Sequence, residues 1–169
     1  MRINKIVILA LLFALMGKGF AERSIKPCTL VSGTIVQKGH KSVFQFNNAR
    51  QYSNNGYPMS HTQFYIQDGN GMTYKIVVDN LFYNYVSSAQ ASLNSDGGII
   101  ADFTRRFPLG SPVEACGKVY QRSSTMALHF VHPSACDKTK FDGFLRINGV
   151  EVTGNLAYCG SCACKVSYN

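Results

Sequence analysis

The sequence predicts a mainly β domain, a small Greek-key barrel carrying one short helix. Two alternating runs, His61–Gln67 and Thr73–Asp79, flank Asp68-Gly69-Asn70-Gly71, a cluster that supplies the positive φ angles of a tight hairpin turn. Gly33 interrupts a β-branched run, and a glycine inside a strand marks a bulge or a sharp bend. Asn148-Gly149 lies between two further short runs and is the strongest short hairpin signal available.

The chain opens on a segment outside the barrel. Arg2 and Lys5 precede an apolar run over residues 6–16, and Gly19-Phe20-Ala21 puts small residues at the −3 and −1 positions of a cleavage site. That run is too short to span a membrane as a mature helix, and no later stretch is apolar enough to do so. Residues 1–21 therefore read as a signal peptide and 22–169 as one mature domain, secreted or periplasmic and without a transmembrane segment. Cleavage removes Arg2, Lys5 and Lys18 and no acid, so the formal charge falls from +8 to +5. The excess is spread along the chain, which suits an anionic partner but also ordinary solubility.

Residues 28–37 (CTLVSGTIVQ) form the first expected strand. A polar and aromatic stretch follows over 38–60, with Lys38, His40, Lys41, Arg50, Tyr52 and Tyr57 among Asn, Ser and Gly; 43–46 is its one short strand candidate. A loop of that length is usually functional or disordered. The central hairpin comes next. Thr62, Phe64 and Ile66 share one face with Tyr74, Ile76 and Val78, because side chains alternate with period two. Residues 81–96 carry Leu81, Tyr85, Ala89 and Leu93 at four-residue spacing and read as the helix, ended by Gly97-Gly98. A loop over 105–112 leads into strands at 113–121 and 125–132, and the Asn148-Gly149 hairpin pairs 144–147 with 150–153. Five strands with a helix between the third and fourth is the layout of the OB-fold, a five-stranded Greek-key barrel. A β-sandwich is the competing architecture, since periodicity does not separate closed from stacked sheets.

Six cysteines, Cys28, Cys116, Cys136, Cys159, Cys162 and Cys164, all lie in the mature part. An even count in an exported chain reads as disulfides, with 15 connectivities open. Zinc at the tail would need reduced thiolates, against an oxidising compartment. The Cys159-x-x-Cys162 spacing lacks the βαβ context of a redox motif. The tail, 154–169, is expected to be stapled onto the body.

The strings Gly33-Thr-Ile-Val, His61-Thr-Gln-Phe, Val77-Val-Asp-Asn80, Gly117-Lys-Val, His129-Phe-Val-His132-Pro and Gly143-Phe-Leu-Arg-Ile-Asn-Gly149 together resemble a family of small exported bacterial domains of unknown function. The resemblance covers about residues 29–152, without the loop over 38–60 or the tail. It departs at Val77-Val78-Asp79-Asn80, where that family is expected to carry Val-Ala-His-Asn. It implies an OB-like fold and no known activity.

Two sets of residues could carry function. His61, Asp79, His129 and His132 hold three imidazoles and a carboxylate, enough for one divalent metal such as zinc or for acid–base chemistry. His-x-x-His on a strand, however, does not put both rings on one face without a bulge. The second set is a binding face. An OB barrel offers ligands the outer face of its second and third strands and the loops beside it, here His61, Gln63, Tyr65, Gln67 and Lys75 with Arg50, Tyr52 and Tyr57. Aromatics among cations can stack bases or sugars while the charges follow an anionic backbone. No Gly-x-Ser-x-Gly elbow and no phosphate-cradling loop is present. The sequence thus favours a non-enzymatic binding protein without a cofactor, for an anionic polymer, a glycan or a host or envelope protein, with nucleic acid among the polymers. For an exported bacterial chain that means a virulence-associated effector or an envelope factor. The alternative is a secreted metal-dependent hydrolase; a third reading is a barrel that merely displays the 38–60 loop.

Overall fold

A computed structural model describes residues 28–47, 60–85, 98–122, 125–133 and 143–154. Among the described residues the strands are β1 (Thr29–Val36), β2 (Gln45–Asn47), β3 (His61–Gln67), β4 (Thr73–Asp79), β5 (Pro112–Arg122), β6 (Thr125–His129), β7 (Phe144–Ile147) and β8 (Val150–Glu151), with an α-helix, α1 (Ile99–Arg106), before β5. Five of the strands close into a ring in the order β1-β3-β4-β6-β5 and back to β1. Every junction is antiparallel except β4–β6, which is parallel. This is the expected OB barrel. Strands β2, β7 and β8 lie outside the ring: β2 pairs β3, and β7 pairs β5 and β8.

Alternation builds the interior as expected. Phe64, Ile66, Ile76 and Val78 are fully buried, joined by Ile35 from β1, Val113 and Ala115 from β5, Leu128 from β6 and Leu145 and Ile147 from β7. Each of these side chains except Ala115 contributes about 1.5–3 kcal/mol by leaving water. An aromatic cluster adds to this core. Phe103 of α1 stacks on Tyr83 at 4.4 Å between ring centroids and lies 5.2 Å from Phe44, which in turn is 5.4 Å from Phe64. Tyr83 is buried, and its phenol donates to Asp102 at 2.7 Å, so its polar end is satisfied while its ring packs.

Closure needs β1 to change partners. Residues Thr29 to Thr34 pair with β5 and Thr34 to Val36 pair with β3, so the strand coils sharply around Gly33. A Cβ at that position would sit 2.3 Å from the Gln67 carbonyl oxygen, so only glycine admits the crossing. At the hairpin, Asp68 Oδ1 accepts the backbone N–H groups of Asn70 and Met72 at 2.9 and 2.8 Å, which explains Asp68 as a turn residue. Asn148 and Gly149 both take left-handed φ, 54° and 75°, as a type I′ turn requires.

The helix expected over 81–96 does not form at its described first residues. Residues 80–82 form a single 3₁₀ turn, and Tyr83 then bridges to Thr153 in an antiparallel pair; residues 86–97 lie outside the described residues. The helix described is α1, where Ile99, Phe103 and Phe107 recur every fourth residue and are buried. Gly98 is its N-cap, and residues 105 and 106 belong to its last turn rather than to a loop. Arg105 and Arg106 there both reach back to Asp102. Tertiary pairing of Tyr83 with Thr153, reinforced by Asn84 Nδ2 donating to the Glu151 carbonyl at 2.9 Å, overrides the helical spacing of 81–85.

Cys28 bridges to Cys116, closing a separation of 88 residues across β1 and β5. Neither cysteine is therefore free to hold the tail. Cys136, Cys159, Cys162 and Cys164 lie outside the described residues, as do residues 1–21 and 155–169. Replacing both bridged residues, Cys28→Ala with Cys116→Ala, is expected to cost about 2–5 kcal/mol, because the bridge restrains a long loop of the unfolded chain. Urea unfolding measures it, and an unchanged midpoint would refute a stabilising role.

Candidate ligand-binding face

The same alternation that buries Phe64 and Ile76 turns His61, Gln63, Tyr65 and Lys75 outward together. Register then lines them up across the sheet. Tyr65 lies opposite Lys75, Lys75 beside Ala127, and Ala127 opposite Tyr120, which makes one row over β3, β4, β6 and β5. Gln63 faces Val77, and His129 faces Lys118, in the neighbouring row. The expected face on β3 and β4 therefore exists, and it continues across the parallel junction onto β6 and β5.

Cations gather around Tyr65. The Lys38 ammonium sits 4.9 Å above its ring, and Lys75 is its cross-strand neighbour. Lys75 is held below the ordinary lysine value by partial burial and by the charge of Lys41, which is close enough to be felt. Among the outward residues of β3, β4, β6 and the part of β5 beyond Gly117 the one acid is Asp79, whose side chain is buried. A second cation–π pair sits on β5, with the Lys118 ammonium 5.1 Å from the Tyr120 ring.

Of the three candidate histidines, two are neighbours and the third stands apart. His61 and His129 bring their rings to 5.2 Å, half-buried and at a mutual tilt. Burial lowers the basicity of both, and the proximity of His61 lowers His129 further, to about 4. Both imidazoles are thus neutral at physiological pH. His132 lies elsewhere: it stacks on Phe82 at 3.8 Å, nearly parallel, and its Nδ1–H donates to the Pro133 carbonyl at 2.8 Å. The break in strand parity between His129 and His132 comes from Phe130, whose φ of 58° is left-handed, an outlying conformation for an aromatic residue. Val131 drops into the core while the ring of Phe130 lies 4.5 Å from His129 and 6.1 Å from His132.

Asp79 sits opposite His61 in register but does not join it. Its Oδ1 accepts the Leu81 N–H at 3.1 Å, capping the 3₁₀ turn, and its Oδ2 is buried without a partner. Nearby, Thr62 donates to Asn80 at 2.7 Å and Asn80 donates to Ser60 at 3.0 Å, a satisfied buried chain at the hairpin's open end. The four residues expected to share a metal are therefore not brought together. Among the described residues no group of three or more His, Cys, Asp or Glu is placed to hold a metal ion.

Arg50, Tyr52 and Tyr57 lie outside the described residues. Sequence reasoning missed Tyr120, Lys118 and Phe130. The first two could have been found by extending the alternation of β5 from Val113; the last depends on a backbone conformation that no residue pattern announces. Comparison with known proteins, by family model, by sequence and by solved structure, returns no match.

Burial raises Asp79 from the ordinary 3.8 to about 7, against the Leu81 N–H bond that favours its ionised form. The native state therefore holds this proton more tightly than the unfolded chain, and stability is lost as pH rises from 3.8 to about 7. His129 works in the opposite sense, its contribution being lost as pH falls from 6.5 to about 4. Asp79→Asn keeps an acceptor for Leu81 without a charge. It is expected to stabilise the fold at pH 8, by up to about 4 kcal/mol, and to change little near pH 4. Urea unfolding at the two pH values decides this: equal effects at both would show that Asp79 is not buried as a charge.

Proposed function

We propose that the protein is an exported, disulfide-stabilised binding protein without catalytic activity, and that the outer face of β3 and β4, with the 38–60 loop, holds an anionic polymer. One observation carries this reading: the Lys38 ammonium lies over the Tyr65 ring, Lys75 is the cross-strand neighbour of Tyr65, Lys41 is near enough to Lys75 for its charge to be felt, and the ion pairs found among the described residues engage none of the three. Cations brought together repel one another, and an anion lying across them relieves that repulsion. The same barrel face is a recurrent ligand surface of OB architectures, which supports the assignment by analogy. Export and the Cys28–Cys116 bridge are mutually consistent, since disulfides persist in oxidising compartments. Binding to a polyanion such as heparin is expected to weaken linearly in log–log terms with salt. Lys38→Ala with Lys75→Ala should weaken it about tenfold or more and make the salt slope shallower. Anisotropy titration across a salt series measures both, and salt-independent binding, or binding that the pair of substitutions leaves unchanged, would sink the reading.

The metal-dependent hydrolase remains the rival because His61 and His129 are neutral and adjacent, the state in which imidazoles ligate. Elemental analysis of protein purified without a polyhistidine tag separates the two. A stoichiometric divalent ion that disappears in the His61→Ala/His129→Ala variant would establish the rival.

A further inference from the structure

Beyond the lysine cluster, the face carries a row of ring systems. From β3 it passes through His61 and His129, 5.2 Å apart, and on to Tyr120 at 6.4 Å and Phe130 at 4.5 Å. Tyr120 is 40 % exposed, among the more open large apolar side chains of the described residues. In the adjacent row Ala127 lies between Lys75 and Tyr120 in register, so no bulky side chain stands between those two. Cations stand on both sides, Lys75 with Lys38 and Lys41 toward β3, and Lys118 beside Tyr120 on β5. Phe130 contributes its ring through a left-handed backbone, and strain of that kind clusters at ligand clamps.

We propose that the polymer is a single-stranded nucleic acid, with bases stacking across His61, His129 and Tyr120 and phosphates held by Lys75 on one side and Lys118 on the other. This rests on the binding reading given above and names its ligand. Flat, uncharged ring faces between cations are what such a strand needs, since every base has a π-face and every linkage a negative charge. Neutral imidazoles serve this purpose without repelling the lysines. A sulfated glycan would use the lysines and lay sugar faces on the rings, but a puckered sugar offers C–H groups where a base offers a flat π-face. A duplex keeps its bases paired and stacked, so only unpaired bases can lie on these rings.

The test uses the full mature protein and three labelled probes of about 15 nucleotides, within the span an OB barrel covers: an oligothymidylate, its duplex with oligoadenylate, and an abasic strand of the same phosphate count. The oligothymidylate is expected to bind about tenfold or more tighter than either of the others. Tyr120→Ala should weaken it about tenfold and leave the abasic strand unchanged, while Tyr120→Phe retains binding. Thermal melting checks that both variants are folded, as expected for an exposed position. If the abasic strand or the duplex binds as tightly as the oligothymidylate, the stacking proposal is overturned while the anionic-polymer reading stands. If no probe binds and heparin does, the ligand is a polyanion of another class and the proposal likewise fails. If neither the probes nor heparin bind, both readings fail together.

Discussion

Strand alternation has a period of two, so moving a strand by one residue exchanges its entire wet face for its dry one. In this barrel the register of the β3–β4 hairpin carries that constraint for everything else. Tyr65 opposite Lys75 and Phe64 opposite Ile76 are consequences of one alignment, and it is pinned at the turn by Asp68 and at the open end by Ser60, Thr62 and Asn80. A one-residue slip of β3 would bury His61 and Tyr65 and expose the fully buried Phe64 and Ile66. The core and the outer face are therefore specified together, and neither could be redesigned without the other.

Much of this is legible from residue order because it is local. The alternation of 61–67 and 73–79, the Asn148-Gly149 turn and the glycine in β1 are all short-range signals, and each corresponds to its expected element. What was not legible depends on partners distant in the chain. Tyr83 belongs to an antiparallel bridge only because Thr153 is beside it, and no window around residue 83 contains that fact. Helix α1 was hidden for a related reason: its buried stripe is only Ile99, Phe103 and Phe107, too few positions to stand out until Phe44, Phe64 and Tyr83 supply the surface it packs on. The candidate site divides in the same way. Its β3–β4 half follows from alternation; its β5–β6 half depends on a parallel junction and on one left-handed residue.

Electrostatically the face combines groups whose preferences oppose one another. Asp79 is favoured uncharged by burial, and the imidazoles of His61 and His129 are also favoured uncharged, so the two kinds of group prefer opposite ends of the pH scale. Near neutrality the histidines contribute no charge, and the lysines set the sign of the surface. An orphaned Oδ2 on Asp79 is a cost the fold tolerates in return for the cap on the 3₁₀ turn, which directs the chain from β4 toward Tyr83 and its bridge.

The His61–His129 pair is common to the metal and stacking readings, and the two ask different things of it. Metal ligation uses ring nitrogens in the ring plane, converging on one point with further donors to complete the shell. Stacking uses the ring faces and needs no third donor. The two rings are tilted to one another by 43°, and their other neighbours are the aromatic rings of Phe130 and Tyr120 rather than carboxylates or thiolates. Asp79, the acid nearest in register, directs Oδ1 to a backbone amide. His132, which would supply a third imidazole, is committed to Phe82 and to the Pro133 carbonyl through its Nδ1. The surroundings of the pair thus supply π-surface and cations in place of the hard or anionic ligands a divalent ion requires, and it is this environment, more than the histidines themselves, that favours a binding surface over a metal centre.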